Sequence, residues 1–96
     1  MNRSVVIVKG PKKREYSVIR IHWEYGKTLV DWLREQYETW DRAYDLICQG
    51  HRSTIEELGP YPGHEVFKTL KEAEAWCEHK TLAYYDGKSW KFKGEV

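Results

Sequence analysis

Residues 21–29 read IHWEYGKTL: the end of a strand, then Gly26-Lys27-Thr28, then an apolar residue opening a helix. Strand, Gly-Lys-Thr and helix are the parts of a phosphate-binding loop, whose backbone N–H groups wrap the phosphates. The spacing excludes that chemistry. A loop of the form Gly-x-x-x-x-Gly-Lys-[Ser/Thr] needs glycine at position 21, which is Ile21. What remains is a helix start beside a lysine, at best a weak anion site.

Metal binding is the next chemistry the residue types allow. Cys48-x-x-His51 and Cys77-x-His79 supply the inventory of a zinc site. Two residues apart on a helix, however, means about 200° around its axis, so Cys77 and His79 cannot face one ion. Cys48 falls near an apolar helical face, where a buried thiol is expected. Nucleophilic catalysis needs a cysteine or serine beside a base. His22 is the most interesting base, ending a strand beside Trp23 and Glu24, but no local signature surrounds either cysteine. The expectation is a protein that is not an enzyme and needs neither metal nor cofactor.

Nucleic-acid binding has a stronger compositional case. Lys9, Lys12, Lys13 and Arg14 cluster in one loop, and Lys88, Lys91 and Lys93 interleave with aromatics near the end of the chain. That mixture suits backbone neutralisation plus stacking of single-stranded bases. Edge-strand lysines also serve to discourage aggregation, and loop charges are ordinarily solvated. Net charge is only +1, distributed as +4 over residues 1–25 and −3 over 26–59. Such asymmetry can steer a partner but falls short of a basic face.

The elements that must position these groups follow from periodicity. Residues 4–10, SVVIVKG, form a β-branched strand, and Gly10-Pro11 opens a basic turn. Residues 15–23 alternate, with Ser17, Ile19, Ile21 and Trp23 on one face, so the two segments make an antiparallel hairpin. Leu29, Leu33, Gln36 and Tyr37 then stack at helical spacing. Thr39 caps a second helix lined by Trp40, Ala43, Leu46 and Ile47, with Gly50 at its C-terminal stop. Residues 53–63 read as one helical turn ended by Gly59-Pro60. Thr69 and Glu72 form a capping box for a third helix that buries Leu70, Ala73 and Cys77.

Asp86-Gly87 between aromatic runs marks a second hairpin. A three-residue loop is preferred there, pairing Leu82 with Trp90 and putting Tyr84, Trp90 and Phe92 on one side. The expected fold class is therefore α+β, one domain over residues 1–96: a small antiparallel sheet from N- and C-terminal β-hairpins with about three helices on one face.

At residues 19–58 and again at 84–92 (YYDGKSWKF) the chain resembles a family of small, mostly uncharacterised phage and prophage proteins. The shared pattern is a strand ending His22-Trp23-Glu24, then Gly26-Lys27-x-Leu29, a Thr39-capped helix ending Leu46-Ile47-x-x-Gly50, and an aromatic Asp-Gly-Lys-Trp ending. Where the family carries Asp-Gly-Tyr-Pro after His-Trp, this chain runs Glu24-Tyr25-Gly26 directly. The resemblance implies a phage accessory protein acting in the host cytoplasm.

Aromatics are 15 % of the chain, including five Trp and seven Tyr, enough to furnish both a core and binding anchors. The leading expectation is a counter-defence inhibitor, anti-CRISPR-like, that acts by protein–protein contact on a host protein or complex. Its expected contacts are Trp23, Tyr25, Tyr61 and Tyr85, with Lys12, Lys13 and Arg14 steering. Nucleic acid or a nucleotide ligand is the alternative partner, self-association stays open, and no run of about 20 apolar residues calls for a membrane. Cys48 and Cys77 are expected as reduced thiols in a cytosolic protein.

Overall fold

A computed structural model describes residues 3–55 and 61–96. Four consecutive residues, Val5 to Val8, are completely buried in the first strand, β1 (Ser4–Lys9). Alternate residues of a strand point to opposite faces, so a run buried throughout must be covered on both. It is. β1 lies at the centre of a five-stranded sheet of order β3-β2-β1-β4-β5, where β2 is Tyr16–Ile21, β3 Glu65–Phe67, β4 Thr81–Tyr85 and β5 Trp90–Gly94.

The two faces carry separate cores. Val6, Val8, Ile19, Ile21, Ala83 and Tyr85 pack against α1 (Gly26–Gln36) and α2 (Trp40–Gln49) through Leu29, Leu33, Ala43, Leu46 and Ile47. Val5, Ile7, Val18 and Leu82 face the other way, against Ala73 of the five-residue α3 (Leu70–Glu74), with Trp76 and Phe67 alongside. The α+β class and the two hairpins are as expected; the arrangement differs in two respects. The hairpins join through a parallel pair, β1 with β4, in register Val5↔Leu82 and Val6↔Ala83. And α3 lies on the face opposite α1 and α2. The causes are one. β3, absent from the sequence reading, is antiparallel to β2, hence parallel to β4, so residues 68–80 must cross over the sheet. With one face already filled by α1 and α2, the crossover helix covers the other.

Local signals fixed the helix ends. Thr39 and Thr69 each accept a hydrogen bond from the backbone N–H three residues on. Gly50 stops α2 with φ +96°. The turn expected within 53–63 is centred on 56–60, outside the described residues.

The second hairpin closes differently from expectation. Its loop has four residues, pairing Tyr85 with Trp90 and Ala83 with Phe92. Asp86 accepts from the N–H groups of Ser89 and Lys88, at 3.0 and 2.8 Å, which hold its carboxyl down at about 2. Gly87 supplies φ +104°. An odd shift in register exchanges faces. Trp90 and Phe92 therefore join Tyr85 on the α1/α2 side, and Tyr84 points to the other. The Trp90 indole donates to the carbonyl of Tyr37 at 2.7 Å.

Gly50 also admits a close neighbour: a Cβ there would lie 2.6 Å from the Tyr61 carbonyl oxygen and 2.9 Å from Pro62 Cα. Gly63 has a similar φ, +106°, with open space around it. Gly50→Ala is expected to cost about 2 kcal/mol and lower Tm by roughly 10 °C. Gly63→Ala should cost clearly less, and equal losses in thermal melts would contradict this packing.

Candidate functional site

The outer edge of β2 is where the sheet meets the rest of the chain. Residues 16–18 pair with β3, and beyond them the partner changes. The Arg52 N–H donates to the Arg20 carbonyl (3.2 Å), His22 N–H to the Arg52 carbonyl (3.0 Å) and Trp23 N–H to the Ser53 carbonyl (2.8 Å). Residues 51–53 thus run as a short parallel extension of the sheet, and His51 N–H donates in turn to Tyr61 O at 3.0 Å.

One backbone group falls between the two partners, the N–H of Arg20. It donates to Nδ1 of the His51 ring at 3.1 Å, so a side chain completes the ladder. This use of Nδ1 leaves the neutral ring's proton on Nε2. The ring stacks on Trp76 (centroids 5.7 Å, 27°), and the Arg20 guanidinium lies over the same indole at 5.5 Å.

These residues line a groove of about 560 Å³: Arg20, His22 and Trp23 from the end of β2, then His51, Arg52 and Ser53, with Tyr61 beside them. Trp23 and Tyr61 are 61 % and 63 % exposed. The His22 ring meets Trp23 edge-on at 4.4 Å. Arg52 is buried and anchors the wall, donating to the Ile55 carbonyl and to Gln49 Oε1, both at 2.6 Å. The site can hold a ligand between two large rings and offer it cationic and neutral N–H donors. Arg20, His51 and Arg52 were not picked out from sequence as contacts; His51 drew attention only as a metal ligand.

The other expected contacts scatter. Tyr25, 40 % exposed, has its ring beneath Arg3 and Lys80, at 5.4 and 5.0 Å, so its face is already occupied. Tyr85 is a correction: it is 3 % exposed, its hydroxyl donates to the Glu38 carbonyl at 3.0 Å, and burial pushes its pKa up. It is a core residue, placed there by the register of the second hairpin. Lys12, Lys13 and Arg14 are exposed in the β1–β2 loop, at the opposite end of β2 from the groove.

The alternative chemistries find these placements. Lys27 of the Gly-Lys-Thr segment pairs with Asp31 at 2.6 Å. Cys48 is exposed, contrary to its expected burial, and the Nδ1 of His79 lies 2.8 Å from the Cys77 carbonyl. Among the described residues no three His, Cys, Asp or Glu side chains group as metal ligands. Lys91 and Lys93 pair with Asp86 and Glu74. No described helix is long and apolar enough to cross a membrane.

Burial, then the nearby Arg20 charge, holds His51 below its ordinary pKa; Glu65 opposes this and His64 adds to it. The unfolded chain therefore binds the proton first. The resulting stability is complete above about pH 6.5 and is lost as pH falls toward the lowered folded value. Ring ¹⁵N shifts should show the Nε2–H tautomer titrating below the ordinary range. His51→Phe, which keeps a stacking ring but no acceptor, should cost about 1–3 kcal/mol at neutral pH and flatten the acid slope. An Nδ1–H tautomer, or titration at or above the ordinary value, would contradict the arrangement.

Compared with known proteins, the chain matches no family model, no curated protein and no solved structure.

Proposed function

We propose that this is a binding protein that acts by protein–protein contact, with the groove between Trp23 and Tyr61 as its contact face. The carrying observation is that two large aromatic side chains, each about three-fifths exposed, stand on one groove whose backbone is locked to the sheet edge. Large rings held on a fixed scaffold give much contact area for little lost conformational freedom. They are the residue types that dominate measured interface energies. The resemblance implies a phage accessory protein. Taken with the small size, the aromatic content and the absence of a catalytic signature in the sequence, it favours inhibition or redirection of a host defence assembly by occupying one of its surfaces, in the manner of an anti-CRISPR protein. The exposed loop of Lys12, Lys13 and Arg14 serves that role as a steering element.

The same loop is the observation that favours the alternative, nucleic-acid binding, because none of its three cations is ion-paired among the described residues. The second hairpin lends that reading less support. Trp90 and Phe92 pack on the α1/α2 core, whereas Lys91 and Lys93 lie on the opposite face of β5. Rings and cations on opposite faces cannot stack bases and neutralise their phosphates along one track.

The test is capture of partners from bacterial lysate on the tagged chain, with and without nuclease, followed by affinity measurement on the purified partner. Trp23→Ala and Tyr61→Ala are each expected to cost about 2 kcal/mol of binding, roughly thirtyfold in Kd. Neutralising Lys12 and Lys13 should slow association and reduce its salt dependence while leaving dissociation nearly unchanged. Partners lost on nuclease treatment, or a Kd indifferent to both aromatic substitutions, would overturn the proposal.

A further inference from the structure

Charge is distributed in the groove in a way that narrows what can enter it. Among the described residues that line it, none is acidic and none is lysine; the cations are Arg20 and Arg52. Arg52 is buried and its two terminal nitrogens are already donating. Arg20 is exposed and differently placed. Its guanidinium lies over the Trp76 ring, 5.5 Å from its centroid, and among the described residues it makes neither an ion pair nor a side-chain hydrogen bond. A guanidinium placed over an indole face and otherwise unpartnered keeps its planar fork of N–H donors available to an anion. His51, which also lines the groove, stacks on that same indole and carries its proton on Nε2, a second N–H donor.

We propose that the groove recognises an acidic segment of its protein partner, a carboxylate taken by Arg20 and His51 with a neighbouring apolar side chain held between Trp23 and Tyr61. This rests on the groove being the contact face. A single unspent guanidinium suits a carboxylate, which it can bind through two parallel N–H···O bonds. A nucleic-acid strand calls instead for several cations along a path. The basic cluster Lys12 to Arg14, not ion-paired among the described residues, lies at the far end of β2 from the groove. Glu65, in β3, carries a charge near His51 but does not reach Arg20 as an ion pair.

The experiment is selection of a random peptide library on the immobilised full chain. Anisotropy titrations follow, with the enriched peptide, its Asn/Gln isostere and a short oligothymidylate. Enriched peptides are expected to carry Asp or Glu next to an aromatic or aliphatic residue. The amide isostere should bind about tenfold more weakly or worse, and Arg20→Gln should lose a similar factor with an unchanged amide NMR spectrum. Arg20→Lys, which keeps the charge and loses the fork, should fall between.

Enrichment without acidic residues, no enrichment at all, or binding untouched by Arg20→Gln would overturn the proposal. So would oligothymidylate competing at the same residues with steep salt dependence. If Trp23→Ala and Tyr61→Ala abolish peptide binding while Arg20→Gln does not, the contact face stands and its acidic preference falls. If none of the three matters, both fall.

Discussion

Everything in this molecule is hung on β1. It is hydrogen-bonded along both edges, antiparallel to β2 and parallel to β4, and buried on both faces. A strand so placed can carry no polar side chain between its ends, which is why Val5-Val6-Ile7-Val8 is uninterrupted. Its termini do the polar work. The hydroxyl of Ser4, itself buried, donates to the carbonyl of Glu24, tying the start of β1 to the segment that leads into α1. Thr81, the register partner of Ser4 in β4, accepts from Gly26 N–H at 2.7 Å and so takes over the capping that Tyr25 does not provide. One end of the central pair therefore fixes where α1 begins.

The groove is a consequence of how the sheet ends. β3 is only three residues long, so it covers half of the outer edge of β2 and leaves the rest. An open edge of that kind is ordinarily a liability. Here it is filled by residues 51–53, which Gly50 turns out of α2, and by the His51 ring at the single N–H that neither backbone reaches. The junction of two partners on one edge creates a concavity. The side chains around it are those of the strand end (Arg20, His22, Trp23) and of the patch (His51, Arg52, Ser53), brought together by backbone hydrogen bonds and by the His51 ring that completes the ladder. That is the physical basis for reading the groove as a preformed contact face.

What could be read in the sequence was local. Thr39 and Thr69 marked helix starts, Gly50 a helix stop and the alternation of 15–23 a strand, because each of these signals is satisfied within a few residues. What depended on distant partners was not legible. The three residues of β3 carry too little pattern to announce a strand, and without β3 there is no reason for the crossover that makes β1 and β4 parallel or sends α3 to the far face. Tyr85 and Trp90 went to opposite faces on paper because the facing of every residue past Asp86 depends on the loop's length by one. Trp23 and Tyr61 could be nominated as exposed rings, but nothing in the sequence says that residues 20–23 lie beside 51–53. Arg20 and His51 were missed for that reason.

The groove depends on that junction being part of the sheet and not a loop lying near it. Native-state hydrogen exchange followed residue by residue tests this most directly. The amides of Arg20, His22, Trp23 and Arg52 each donate across the junction and should be protected together with those of β1. Exchange of these four at open-loop rates, while Val6 and Val8 stay protected, would mean that the groove has no fixed wall and is not a preformed face.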